Sequence, residues 1–287
     1  MIRRIMASVL EKAFNATVRG VATNDEAIQE LETQRFDLIV TDLSHQGGNG
    51  LELLAALRKD ARWRRIPILV QSAQVAGLKV EVEAWRRGAR GVLAKPYSLR
   101  QFVEAAEALL GVTVDADNAL IELGSETQSL DYKSTIPLTE KAARAALAKD
   151  VIAMANTGGG TIVVGVEEST PGSFVPSGMS ESSCAPLETT RLNQALSAFV
   201  DPAMGIRSRQ VLYNGKRFVF IEVPSAAPQL AMSRRDHPEA GLFVGRIYVR
   251  TTAAQSAPLQ TSAEIRTLVE RLARELVRVW KEEIPQA

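Results

Sequence analysis

Residues 36–57 read FDLIVTDLSHQGGNGLELLAAL. An apolar run ends at Thr41 and Asp42, a polar glycine-rich turn follows, and GLELLAALRKD then takes up a helical pattern. A strand, a loop at its carboxyl end and a returning helix form the repeating unit of a parallel sheet. The alternation extends both ways: TVRGVAT and DEAIQELETQ come before, and IPILVQSA, VEVEAWRRGA, GVLAKP and LRQFVEAAEALL come after. Interleaved strands and helices of this length predict an α/β fold whose sheet is wrapped on both faces. In such a sheet the chemistry collects beyond the carboxyl ends of the strands. Asp42 ends one strand, Ser72 the next, and Lys95 with Pro96 the last. A carboxylate is a nucleophile toward a phosphoryl group, a hydroxyl donates to a phosphoryl oxygen, and an ammonium neutralises developing charge.

TDLSHQGGNG, with Asp42 and Gly50 at their separation, followed by VQSA and AKP, resembles the receiver domain of two-component response regulators over residues 1 to about 110. The resemblance implies a flavodoxin-like fold and a histidine kinase as partner. It matches Asp42 to the phosphoryl acceptor, Ser72 to the switching hydroxyl, Lys95 to the phosphate-contacting lysine and Tyr97 to the aromatic residue that changes exposure. His45 and Gln46 stand where the family has methionine and proline. The family's first strand ends in an acidic pair that holds magnesium, whereas this chain opens with MIRRIMASVLEKAF, the helix that follows that strand. The expectation is therefore a receiver lacking its first strand, with no metal ligands in the chain as it stands and Mg2+ bound only if the acidic pair is restored. Removing that central strand leaves two strands about 10 Å apart with unpaired edges. Met1 is accordingly expected not to be the native start, unless another segment fills the gap.

Gly111 to Ser125 reads as an acidic linker merging into a first strand. Beyond it, TEKAARAALAKDVIAMAN has helical spacing with small residues on the packing side, and Thr139 is the expected cap. Gly158, Gly159 and Gly160 then permit a tight reversal into TIVVGV. These glycines follow a helix and lack the lysine and hydroxyl of a phosphate loop, so an ATP site is not expected. ETQSLDYK, IAMANTGGGTIVVGVEE and RIYVRTTAAQSAP, in this order, resemble the Schlafen/AlbA-type family of DNA-binding domains over about residues 120 to 275. The resemblance implies an α+β domain that binds DNA or RNA. In the family's ribonuclease branch, the acidic positions fall on Glu126 and Asp131, with Lys133 just beyond, and the third on Glu167 or Glu168. Asp131 and Lys133 share one face if they lie in a strand, and Glu126 then needs a bend to join them.

The expected organisation is a receiver at 1–110, a linker at 111–125, a nucleic-acid-binding domain at 126–264 and an amphipathic helix at 265–287. The chain has 34 Lys plus Arg against 33 Asp plus Glu, which excludes recognition by bulk charge but not by a local basic face. Residues 204–250 carry 8 basic and 3 acidic side chains. Arg207 and Arg209 precede a hairpin turn at Asn214 and Gly215, Arg234 and Arg235 sit in a polar loop, and Arg246 and Arg250 flank IYV. These six arginines are the candidate phosphate contacts.

Ile265, Leu268, Leu272, Leu276, Val279 and Trp280 form an apolar stripe that suits the domain's own sheet or a homodimer. One cysteine, Cys184, excludes a disulfide framework, and no apolar run has the length of a membrane span. The chain therefore reads as cytoplasmic and soluble, with no membrane partner. His45 and His237 read as loop residues. The leading reading is a phosphorelay response regulator that controls transcription through a DNA-binding output domain. The alternatives are a metal-dependent ribonuclease using Glu126, Asp131 and Glu167 or Glu168, and a non-enzymatic protein-interaction adaptor.

Overall fold

A computed structural model describes residues 2–45, 48–73 and 77–283. Gln46 and the side chain of His45 lie outside the described residues. The chain divides into two compact units, residues 1–120 and 121–287.

The first unit opens with α1 (Ile2–Phe14) and α2 (Asn24–Thr33), whose first turn is closed by a Thr23–Glu26 capping box. β1 (Ile39–Asp42) leads through the two-residue arms β2 (Ser44–His45) and β3 (Gly48–Asn49) into α3 (Gly50–Lys59). β4 (Ile68–Ala73), α4 (Gly77–Arg86), β5 (Gly91–Lys95) and α5 (Leu99–Leu110) complete the alternation. The sheet order is β1-β4-β5, all parallel, with Asp42 beside Gln71 and Ala73 beside Lys95. Leu53, Leu54 and Leu57 of α3 pack with Ile68, Val70 and Trp63 in one core, while Phe102, Val103 and Ala106 of α5 are fully buried. This is the flavodoxin-like α/β architecture expected of the sequence.

One expected strand does not form: residues 17–21 of TVRGVAT carry no regular structure. β1 lies at the edge of the sheet, and among the described residues no strand pairs with its outer side. β-branched composition alone does not make a strand, since a ladder needs a partner for its amides and carbonyls.

The expected linker and first strand over 111–125 are also corrected. Residues 116–122 form a helix, α6 (Ala116–Glu122), with Ala119, Leu120 and Ile121 buried. This short apolar run is satisfied by one buried helical turn, a choice that periodicity cannot make at this length.

The second unit is α+β. β6 (Leu130–Lys133) is followed by α7 (Lys141–Thr157), β7 (Gly160–Val164) and the hairpin β8 (Val166–Thr170) and β9 (Ser173–Pro176). Then come α8 (Glu181–Cys184), α9 (Thr189–Ser197), β10 (Val200–Asp201), β11 (Arg207–Tyr213), β12 (Lys216–Val223), β13 (Met232–Ser233), β14 (Tyr248–Arg250), β15 (Ser256–Pro258) and α10 (Ser262–Glu283). The main sheet has the order β11-β12-β7-β6, antiparallel except for the parallel β7/β6 pair. α7 joins those two parallel strands, and its Ala145, Ala148, Val151 and Ile152 are buried in one core with Ile162, Val164, Val219 and Ile221.

The expected hairpin turn is present, with Asn214 at φ 49° and Gly215 at φ 72°. The expected cap at Thr139 is not: Glu140 occupies the cap position and makes no side-chain capping bond. In α10 Leu268 is buried, while Ile265, Leu276 and Trp280 of the same stripe stay exposed. No helix among the described residues is long and apolar enough to cross a membrane.

Candidate functional site

Asp42, Ser72 and Lys95 lie at the carboxyl ends of three neighbouring parallel strands of the first unit. Lys95 Nζ forms an ion pair with Asp42 Oδ2 across the sheet. Both side chains are about one-third exposed, so the pair is open to a reactant. Ser72 is fully buried on β4 between them. Gly50 packs so closely on the Asp42 carbonyl oxygen that a Cβ has no room, which is the physical reason for glycine at this spacing. Tyr97 lies two residues past Lys95, stacked on Phe102 at 6.1 Å, with its hydroxyl 3.8 Å from Met6 Sδ. Burial, then the Asp42 charge, pushes the Tyr97 phenol above its ordinary value, so it stays protonated. The Met6 contact was not legible in sequence, because a thioether on an opening helix carries no signal of its tertiary neighbour.

No group of three or more His, Cys, Asp or Glu side chains able to hold a metal ion occurs among the described residues. Magnesium takes several oxygen ligands, and among the described residues no cluster of acidic side chains surrounds Asp42 to supply them.

In the second unit a cleft of about 580 Å³ is lined by all five residues of the nuclease reading, Glu126, Asp131, Lys133, Glu167 and Glu168. The required bend is a tight turn, closed by a Thr127 amide donating to the Leu130 carbonyl. It lets Glu126 accept a hydrogen bond from the Tyr132 amide at 3.0 Å. Asp131, 2% exposed, is held between two cations: Arg250 Nη1 at 2.9 Å from Oδ1 and Lys133 Nζ at 2.5 Å from Oδ2. Lys133 also reaches Asp150 at 3.2 Å. Burial lowers the Lys133 pKa, but the Asp131 and Asp150 charges outweigh it and the ammonium is stabilised. The Glu126 pKa is raised as well, by burial and then by the Asp131 charge, but for a carboxyl this favours the neutral form. Glu167 and Glu168 are exposed on β8. The arrangement is a charge network around Asp131 and not a ring of carboxylates turned to one ion.

The six candidate arginines separate. Arg250 is 3% exposed and bound to Asp131 and to the Thr127 carbonyl, so its expected phosphate contact is corrected: the guanidinium is spent inside the fold. Arg209 pairs with Glu222 and lies over Phe220, and Arg234 pairs with Asp201 at 2.6 Å. Arg246 lies over Phe243, while Arg207 and Arg235 are exposed. Gly158 and Gly159 have φ of 125° and 85°, and a Cβ on Gly159 would lie 2.7 Å from the Val223 carbonyl oxygen. The glycine run thus serves both a helix end and a close backbone approach.

Comparison with known proteins agrees with this division. Residues 1–107 match the response regulator receiver domain family, and residues 126–258 match the family described as Schlafen, AlbA_2. The chain therefore joins a response regulator receiver domain to a Schlafen/AlbA_2 domain. Chemotaxis protein CheY of Pseudomonas aeruginosa is 28% identical over 108 residues, covering 38% of this chain and 86% of that protein. The protein named "Probable transcriptional regulator ycf29" of Pyropia yezoensis is 26% identical over 139 residues, 48% of this chain and 61% of the relative. Among solved structures, the receiver domain of NtrX from Brucella abortus is similar at 26% identity and TM-score 0.34, covering 39% of this chain and 92% of that one. CheY4 of Vibrio cholerae is similar at 25% identity and TM-score 0.35, over 38% and 89%.

Proposed function

We propose that this chain is a phosphorylation-responsive regulator in which Asp42 accepts a phosphoryl group from a histidine kinase and the Schlafen/AlbA_2 unit is a nucleic-acid-binding output that acts on transcription. The observation that carries the reading is the Lys95–Asp42 ion pair, which spans the end of the strand that carries buried Ser72. In the transfer an Asp42 carboxylate oxygen attacks phosphorus, the acyl phosphate P–O bond forms, and the donor's P–N bond breaks with the imidazole leaving. Lys95 offsets the added negative charge, and the Ser72 hydroxyl turns to donate to a phosphoryl oxygen. That turn opens space next to Tyr97, whose neutral ring repacks and carries the change to the surface.

Exposure to phosphoramidate tests this. We expect an adduct of one phosphoryl mass that is lost in Asp42→Asn and reduced in Lys95→Ala; an adduct that persists in Asp42→Asn overturns the assignment. A Schlafen-type ribonuclease is supported by the five candidate residues lining one cleft. Its weakness is Asp131, neutralised by Arg250 and Lys133 before any metal arrives. RNA cleavage in manganese that disappears in Asp131→Ala would favour that reading over a binding module.

A further inference from the structure

The second unit has another concavity away from the carboxylate cleft, an open groove of about 850 Å³. Its walls come from the loop after β6, the start of α7, α9 and the loop after β13. Resting on the reading of this unit as a nucleic-acid-binding output, we propose that this groove holds a stretch of single-stranded nucleic acid.

Charge is the first argument. The lining contributes four cations, Lys141, Arg144, Arg191 and Arg235, and no carboxylate. None of the four forms an ion pair among the described residues, whereas Arg209, Arg217, Arg234 and Arg250 are each matched to an acidic side chain. Arg144 is aimed by its own loop, donating to the Leu138 carbonyl at 2.8 Å. α7 begins at Lys141 without a side-chain cap, so the positive end of a 17-residue helix adds to the field. The carboxylate cleft has the opposite balance, five carboxylates against Lys133, Lys149 and Arg250. Phosphates are drawn to the groove and repelled from the cleft.

The floor argues for a single strand. Leu138, Met179, Ala195 and Ala198 line it, with Thr139, Ser183 and Gln194 supplying hydroxyl and amide groups. A duplex keeps its base faces stacked inside and shows a protein mainly phosphates and base edges. An unpaired strand exposes those faces, which an apolar floor covers, and frees base edges for the polar side chains.

The test is fluorescence anisotropy with the full chain and labelled oligothymidylate, oligouridylate and a DNA duplex of equal length, from about 50 to about 300 mM salt. We expect a single strand to bind more tightly than the duplex, with log K against log salt sloping about −3, four contacts at about 0.7 each. Lys141→Glu with Arg235→Glu should lower affinity at least about tenfold and flatten the slope by about 1.4. Arg191→Glu alone provides a second readout, and Arg266→Glu, exposed on α10 outside the groove, should change affinity less than about twofold. Folded variants that bind as the parent does, or a preference for duplex, overturn the groove assignment and leave the nucleic-acid reading standing. A parent chain that binds none of the three overturns both.

Discussion

Arg250→Met removes one of the two cations that hold Asp131. Both members of the pair are almost wholly buried, at 2% and 3% exposed, and Arg250 also donates to the Thr127 carbonyl at 3.3 Å. Stripping one partner from a buried pair costs about 3 to 5 kcal/mol, because the remaining charge has lost its solvation and its counterion. Lys133 stays 2.5 Å from Asp131, which places the loss at the lower end, about 3 kcal/mol. With a urea dependence of about 2 kcal/mol/M, the unfolding midpoint of the second unit should fall by about 1.5 M. Two units unfold in this chain, so hydrogen exchange on peptides from β6 and α7 is needed to assign the transition. Asp131→Asn combined with Arg250→Met removes both charges and should recover at least half of the loss. A single-variant shift below about 0.5 M, or a double variant no more stable than the single, refutes the view that Arg250 is structural.

Two further outcomes follow from the same unit. Glu126 has a raised carboxyl pKa, so the folded state holds its proton more tightly than the unfolded chain, and stability falls as pH rises from the ordinary 4.5 through the folded value. Glu126→Gln cannot ionise and keeps an acceptor for the Tyr132 amide; its melting temperature should exceed the parent's near pH 8 and match it near pH 4, within about 1 °C, and a gap that narrows with rising pH refutes this. Gly159→Ala combines a φ of 85° with a 2.7 Å approach to the Val223 carbonyl and should cost about 2 to 4 kcal/mol by chemical denaturation. Gly215→Ala has a φ of 72° but open space, so it should cost only about 1 kcal/mol; equal costs would refute the steric argument.

Much of this protein was legible from one strand, one turn and one helix. The α/β alternation around Asp42 and the Asn214–Gly215 turn are local: period-two and period-3.6 patterns and turn residues each depend on neighbours a few residues away. Patterns failed where an element depends on something distant. Residues 17–21 of TVRGVAT have the composition of a strand but pair with no strand among the described residues, and the run at Ala119–Ile121 was too short to separate strand from helix. Arginine 250 shows the same limit at the site. Its sequence neighbours put it at the end of a basic strand, and only the fold brings in Asp131 from 119 residues away.

By itself the sequence determined the order of the two domains, the strand ends that carry Asp42, Ser72 and Lys95, and the glycines at the close turns, because secondary structure and turn chemistry are set within a few residues. The tertiary structure alone decided which charges are used up and which remain on offer. It buried Arg250 against Asp131, matched Arg234 to Asp201, and collected Lys141, Arg144, Arg191 and Arg235 around one groove. Electrostatic pairing depends on distance in space and on access to water, and neither is a property of separation along the chain.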